Sequence, residues 1–409
     1  MLLNVSYMGT KRQLADDVAD VIKTAPAGPL LDLFSGMCAV GKAVSSARPV
    51  WTNDAQVFAS TAAQAFFKSK ALPPKSDEII DKIKPFYQKN LSSLEDRFAT
   101  EAASEADALQ SDDIEKISAS ENQCPNIATD KKFAAQRARL CLKPTTFPYR
   151  LFSISYSGAY FSLAQSISID SLRYAFDKAI SEKLINSEEH RWLTLALCQA
   201  ISKVGNTTGH FAQHLTIKEQ NKRRYIAQRT RSVWREWRIA LDESGPIGNR
   251  EWRQNNRVFN KNAETLIGEL NDGLGTPSVV YADPPYTSDQ YSRYYHIYET
   301  LILYDYPTSS GKGRYRPERF CSPFSLKSKV EQSLNTLVEG CANLRSTLVL
   351  SYPTDGLLPN SNEAILDILK RHYTSAEIVK EMPHFHSSLG ASKGSEKHSV
   401  TEVLFAACV

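Results

Sequence analysis

The chain has little of what would mark it as membrane-embedded, disulfide-stapled or metal-centred. Its 409 residues hold no run of about 18 apolar residues, the length a spanning helix needs. The apolar start, Met1 to Ser6, is too short for a secretory signal, and Lys11, Arg12, Asp16 and Asp17 follow it closely. The expectation is a cytoplasmic protein without membrane contact. The seven cysteines are odd in number and scattered, with no CxxC pair and no histidine at ligand spacing. That argues against a disulfide framework or a structural zinc site, and fits idle thiols in a reducing compartment. There is no large charge surplus either. A formal net charge of +4 means that any nucleic-acid surface must be local.

What is present is an alternation of apolar strands and helices at both ends of the chain. Pro29 to Phe34 is a short apolar run that stops at Ser35-Gly36, and Val50 to Asn53 is a second that ends in Asp54. Ser278 to Ala282, Thr347 to Ser351, Ala376 to Val379 and Val400 to Ala406 complete the set. Such runs with helical stretches between them predict an open α/β sheet. Between about residues 70 and 255 the pattern turns helical and polar, with no internal repeat. Residues 75–131 predict solvated helix and loop. Residues 218–261 gather Arg223, Arg224, Arg229, Arg231, Arg235, Arg238, Arg250, Arg253 and Arg257 around Trp234, Trp237 and Trp252. The economical division is one α/β domain, 1–70 and 255–409, interrupted by a helical insertion, 71–254.

Two segments of the α/β part have the form of a ligand site. Asp32-Leu33-Phe34-Ser35-Gly36 is a strand that breaks into a glycine turn, with Gly41 five residues on. Gly36 permits a tight turn and a close approach of backbone to ligand at the sheet's C-terminal edge. The spacing is not GxGxxG, which disfavours a dinucleotide. Asp54, eighteen residues after the turn, is placed to bind ribose hydroxyls. Either signal alone is weak, because an ordinary βα turn looks the same.

Asp283-Pro284-Pro285-Tyr286 is far more specific. By chance it should occur on the order of once per thousand chains of this length. Two prolines fix an extended backbone and remove two N–H donors, so carbonyls point outward. An exocyclic aromatic amine could give one hydrogen to the Asp283 carboxylate and the other to the Pro284 carbonyl. Its nitrogen would then turn pyramidal, and Tyr286 offers a ring for the base to stack on. The segment Tyr291 to Glu299 follows, where Arg293 and the tyrosines suit either a lid that meets DNA or an inward-packed helix. His296 has no acid at short spacing and reads as structural.

Together these pieces resemble the N6-adenine DNA methyltransferases of the alpha group, the class that includes the Dam-type enzymes. The resemblance covers roughly residues 4–60 and 255–409 and extends in patches into the insertion, at Asn206 to Phe211. It implies a Rossmann-like methyltransferase sheet with an inserted target-recognition domain, S-adenosylmethionine as cofactor, and double-stranded DNA as substrate. By position, it implies that Tyr7, Gly9 and Lys11 hold the methionine part of the cofactor. Asp32, Phe34 and Gly36 would line its turn, and Asp54 would bind its ribose. Asp283, Pro284, Pro285 and Tyr286 would carry catalysis, and Ser351-Tyr352-Pro353 would shape the target pocket. Asn262 stands where the family usually has an aspartate and would reach the cofactor's adenine through its amide carbonyl.

The first residue of the tetrapeptide favours adenine over cytosine. Two other readings are an RNA guanine-N2 methyltransferase, disfavoured by the long basic insertion, and a DNA-binding relative without catalysis, disfavoured by the intact motif. In the insertion, Arg231, Arg235 and Arg238 are expected to meet DNA phosphates or guanine edges, with Arg293 nearer the base. The alternative is a solvated helix whose tryptophans face the core. A single motif predicts one active site and a monomer, and no nuclease motif occurs, so any cognate endonuclease would be another chain.

Overall fold

The computed structural model describes residues 14–317, 319–386 and 398–409. Seven strands form one sheet: β1 Leu30–Asp32, β2 Val50–Asn53, β3 Arg257–Phe259, β4 Val279–Ala282, β5 Thr347–Pro353, β6 Ser375–His386 and β7 His398–Cys408. Their order is β3-β2-β1-β4-β5-β7-β6. The first five run parallel, and β7 enters antiparallel between β5 and β6. This is the expected Rossmann-like α/β sheet. The central strands β1, β2 and β4 are buried at every residue, as continuous apolar runs covered on both faces must be.

Adjacent strand residues face opposite sides, so the sheet divides two cores. Leu31, Leu33, Val280 and Leu348 join one with Leu266, Leu334 and Ile365. Leu30, Val50 and Val279 join the other with Ile22, Phe58 and Phe66. This second core runs without a break into the middle of the chain, through Leu163, Trp192, Leu195 and Trp237. Two helices make the join, Val57–Lys68 and Ser292–Leu303. Phe58 stacks on Tyr298 at 4.5 Å, and Phe66 meets Trp192 at 6.0 Å.

The middle is helical as the sequence predicted, and its longer helices begin with side-chain caps. Ser162 and Gln165 form a reciprocal capping box before Leu163–Ser181, and Asn186 and Glu189 do the same before Ser187–Val204. The stretch 75–131 is less solvated than expected. Ile79, Ile83 and Leu94 of the helix Ser76–Arg97 are buried. So is Asn90, which exchanges hydrogen bonds with the Tyr149 backbone at 2.8 and 3.0 Å. Among the described residues no helix is long and apolar enough to cross a membrane.

Strand β3 escaped the sequence reading. It has three residues, is led by an arginine, and lies exposed to half-buried at the edge, so it shows no apolar run. Arg257 secures it by lying 4.3 Å over the Trp51 ring and donating to the Leu274 carbonyl at 2.9 Å. Strand β6 is longer than expected for a related reason. Its register shifts between Ile378 and Lys380, and its exposed residues mix Glu377 and Glu381 with Val379, which conceals its alternation.

Candidate active site

The carboxyl ends of β1, β2 and β4 meet because their register sets Asp32 beside Thr52 on one side and Tyr281 on the other. Chain leaving β1 turns sharply: Gly36 has φ +46, and the Cys38 N–H closes back on the Ser35 carbonyl at 2.6 Å. Asp54 holds this turn. It accepts the Gly36 N–H at 3.0 Å on one oxygen and the Gln56 N–H at 2.8 Å on the other. Buried Asn53 ties in a third loop, donating to the Leu33 and Lys261 carbonyls and accepting the Lys261 N–H.

Against this edge lies a cleft of about 790 Å³. Phe34, Asp54, Asp283, Pro284, Pro285 and Tyr286 line one part, and Gln290, Phe320 and Phe324 line another. Phe324 meets Phe34 edge-on at 5.5 Å. The wall is fixed to the loop after the Asp-Pro-Pro-Tyr segment. The Gln290 amide exchanges two hydrogen bonds with the Ser322 backbone, and the Ser292 hydroxyl donates to the Phe320 carbonyl at 2.6 Å. Tyr286 is buried against the edge of Tyr352, and its carbonyl accepts the Leu357 N–H at 3.0 Å.

The site is acidic, and its acids are withdrawn from solvent. Burial, together with the neighbouring Asp283 and Asp54 charges, pushes the Asp32 carboxyl up to about 7, against a weaker pull from the Gly41 N–H. Burial raises Asp54 to about 6, with the Gln56 and Gly36 N–H groups opposing. The Tyr286 hydroxyl is also pushed up, first by burial and then by Asp283, Glu402 and Asp355. Among the described residues no cluster of three potential metal ligands occurs.

The expected residues fall into three groups. Phe34, Asp54 and the whole Asp283–Tyr286 segment share one cleft, with Gly36 in the turn beneath and Asp32 buried behind it. Tyr7, Gly9 and Lys11 lie outside the described residues. The remainder stand apart. Asn262 is exposed at the start of the helix Ala263–Glu269, and the cleft wall there consists of Lys261, Ala263 and Glu264. Arg231, Arg235 and Arg238 do not line the cleft. Arg235 is exposed, Arg231 donates to the Lys203 carbonyl, and Arg238 pairs with Asp77 at 2.5 Å. Two arginines of the same stretch have internal partners. Arg229 is buried on Glu121, Tyr225 and the Ala159 carbonyl, and Arg253 is buried on the Ser69 and Gly248 carbonyls. Trp237 faces the core, as the alternative reading had it. Buried His296 meets the Phe211 carbonyl at 2.9 Å and is structural.

Sequence reasoning missed the wall residues Gln290, Phe320 and Phe324, which come from loops without periodicity. It also missed Glu402, fully buried in β7 and joined to the Ser351 hydroxyl. An acid inside the apolar run Val400 to Ala406 was a legible signal.

A family model for the D12 class N6 adenine-specific DNA methyltransferases matches residues 7–141 and 248–346. The chain is 26% identical over 90% of its length to Type II methyltransferase M.FokI of Planomicrobium okeanokoites, covering 47% of that protein. It is 25% identical over 63% of its length to modification methylase LlaI of Lactococcus lactis, covering 38% of it. The similarity to Type II methyltransferase M.NlaIII of Neisseria lactamica is 24% over 60% of the chain and 66% of the relative. The chain thus spans less than half the length of the first two relatives.

Proposed function

We propose, on the premise that the chain belongs to the D12 class of N6 adenine-specific DNA methyltransferases, that it methylates N6 of adenine in double-stranded DNA. The observation that carries this reading is the convergence of Asp283-Pro284-Pro285-Tyr286, Asp54 and the Gly36 turn on one cleft. RNA guanine methylation and an inactive DNA-binding relative remain weaker readings.

The cleft suits S-adenosylmethionine. Phe34 and Phe324 give apolar faces for an adenine ring, and Asp54 keeps lone pairs for ribose hydroxyls beyond the two N–H groups it accepts. The Ser35 hydroxyl at the turn is buried with no hydrogen-bond partner among the described residues, as expected where a polar ligand completes the site. The acids balance a cation. The bound cofactor supplies a methyl group on a sulfonium, so no metal or covalent enzyme intermediate is required. Tyr7, Gly9 and Lys11 would hold its methionine end, and Asn262 is a weaker candidate for its adenine.

The chain's own residues orient the acceptor. The Asp283 carboxylate takes one amine hydrogen and the Pro284 carbonyl the other, which directs the nitrogen lone pair out of the base plane. Tyr286 stacks on the base, and Pro285 keeps the segment extended. Orientation and fixed polar groups supply most of the acceleration. An adenine inside a duplex cannot reach this corner, so the base must leave the stack, at a cost of a few kcal/mol. Exposed Arg235 and Arg231, with half-buried Arg238 and Arg293, would neutralise phosphates. The relatives' names motivate a place in a restriction–modification system, with any endonuclease a separate chain and this chain a cytoplasmic monomer.

The test is transfer of labelled methyl groups to plasmid DNA, followed by digestion to nucleosides. N6-methyladenosine is the expected product. Label in methylcytosine or methylguanine, or none at all, would contradict the assignment.

A further inference from the structure

Several arginines near the helical insertion and the loop before Ser322 are already engaged. Arg316 forks onto Asp305 at 2.7 and 2.5 Å. Arg314 donates to the Ser155 and Ser157 carbonyls, and Arg229 is spent on Glu121. Arg293 and Arg319 differ. Among the described residues neither guanidinium meets an acceptor, and Nε of Arg293 and Nη1 of Arg319 are shielded from solvent without one. Withholding an N–H from both water and protein costs free energy, so such groups call for a ligand.

Both arginines lie against one ring. Their guanidinium carbons stand 5.8 Å (Arg293) and 5.1 Å (Arg319) from the centroid of Tyr315, and Arg293 also lies 5.6 Å from Tyr294. Tyr315 is a fixed post. Its hydroxyl donates to the Ala212 carbonyl, its backbone pairs twice with Ser310 at 3.0 Å, and His296 packs edge-on at 5.2 Å. Stacking holds a guanidinium plane while leaving its N–H edge free for a planar, bidentate anion.

Neither arginine lines the cleft, but each is a near neighbour in sequence of a residue that does, Tyr291 and Phe320. Arg293 lies in the first turn of the helix that follows the Asp-Pro-Pro-Tyr loop, and Arg319 precedes the wall residue Phe320. Arg319 also faces a second hollow of about 920 Å³, which shares Ala55, Gln56 and Phe320 with the cleft. The acids in that hollow leave room for an anion. Asp305 is neutralised by Arg316. Glu299 is held by the Phe58 and Val57 N–H groups, with burial pushing its carboxyl up to about 7.

We infer that Arg293 and Arg319, stacked about Tyr315, form a two-armed phosphodiester site for the strand that carries the target base. The arms hold phosphates beside the nucleotide drawn into the cleft. This deepens the DNA-methyltransferase reading and rests on it. Arg319, which the sequence pattern did not single out, is the second arm.

The test uses the full chain and a duplex that contains a methylated site, with affinity measured against salt. R293Q and R319Q should each flatten the slope of log affinity against log salt by about 0.9, the value of one phosphate contact. R293K and R319K should keep the slope, because a point charge still meets a phosphate. Neutral methylphosphonates beside the target adenine should lower affinity for the wild-type chain and not further for R319Q. Binding of S-adenosylhomocysteine should be unchanged throughout.

Gln variants that melt like wild type and keep its slope and its KM for DNA would overturn the proposal. So would Gln variants that weaken S-adenosylhomocysteine instead, since the anion would then be the cofactor's carboxylate. A wild-type chain whose slope depends on both arginines but which leaves adenine unmodified would overturn the proposed reaction while upholding the phosphate site.

Discussion

Buried charge is handled in opposite ways in the cleft and in the helical insertion. In the insertion, buried ions are met by internal partners: Arg229 has Glu121, and Arg173 has Asp177 with His190 beside it. Buried Asp170 accepts the Phe152 and Ser153 N–H groups and the Tyr304 hydroxyl. At the carboxyl edge of the sheet, Asp283 and Asp54 are close enough to raise the proton affinity of buried Asp32. Burying like charges together destabilises a fold, a cost that the proposed function would account for. The insertion's ions hold helices together; the cleft's acids converge on one edge of the sheet.

The sharpest way to break this comparison is at Asp283. D283A should lower methyl transfer by about 10³-fold, in the range found when a fixed transition-state group is removed. It should melt near wild type and still bind cofactor, as steady-state rates and titration would report. The opposite behaviour is expected at Arg229. R229A leaves half-buried Glu121 without its cation and empties a buried site, and should cost about 3 kcal/mol of stability by urea unfolding. A variant as stable as wild type would remove the insertion's half of the contrast.

Acidity gives a third test. The folded chain holds Asp32 at about 7 and Asp54 at about 6, above the usual carboxylate value near 4. The fold therefore prefers the neutral acids. Their contribution is fully present below pH ~4 and is lost as pH rises through 6 and 7. The ligand-free chain should melt lower at pH 8 than at pH 5, and D32N should shrink that difference. An unchanged difference would show that the acids are not strained. The smallest effect belongs to exposed Arg235. R235A should alter stability by less than about 0.5 kcal/mol while flattening the salt dependence of DNA binding by about 0.9.

The sequence showed the sheet's centre and the chemical corner for the same reason. Strands β1, β2 and β4 are buried on both faces, so they appear as apolar runs, and Asp283 to Tyr286 owes its rigidity to its own prolines. Edge elements were hidden: β3 begins with Arg257, and stacking on Trp51 supplies what its sequence lacks. The Phe320 and Phe324 wall was also hidden, since it depends on Gln290 and Ser292 gripping a loop some thirty residues later in sequence. The arginines of residues 218–261 do not act as one group. Composition cannot separate Arg229, folded inward on Glu121, from Arg235, which faces solvent.

Methylation-aware sequencing of DNA from cells expressing the chain, beside cells expressing D283A, tests the central claim most directly. The account predicts N6-methyladenine at one recurrent short sequence, absent with D283A. Modified cytosine, or the same adenine mark in both strains above an empty-vector control, would contradict it.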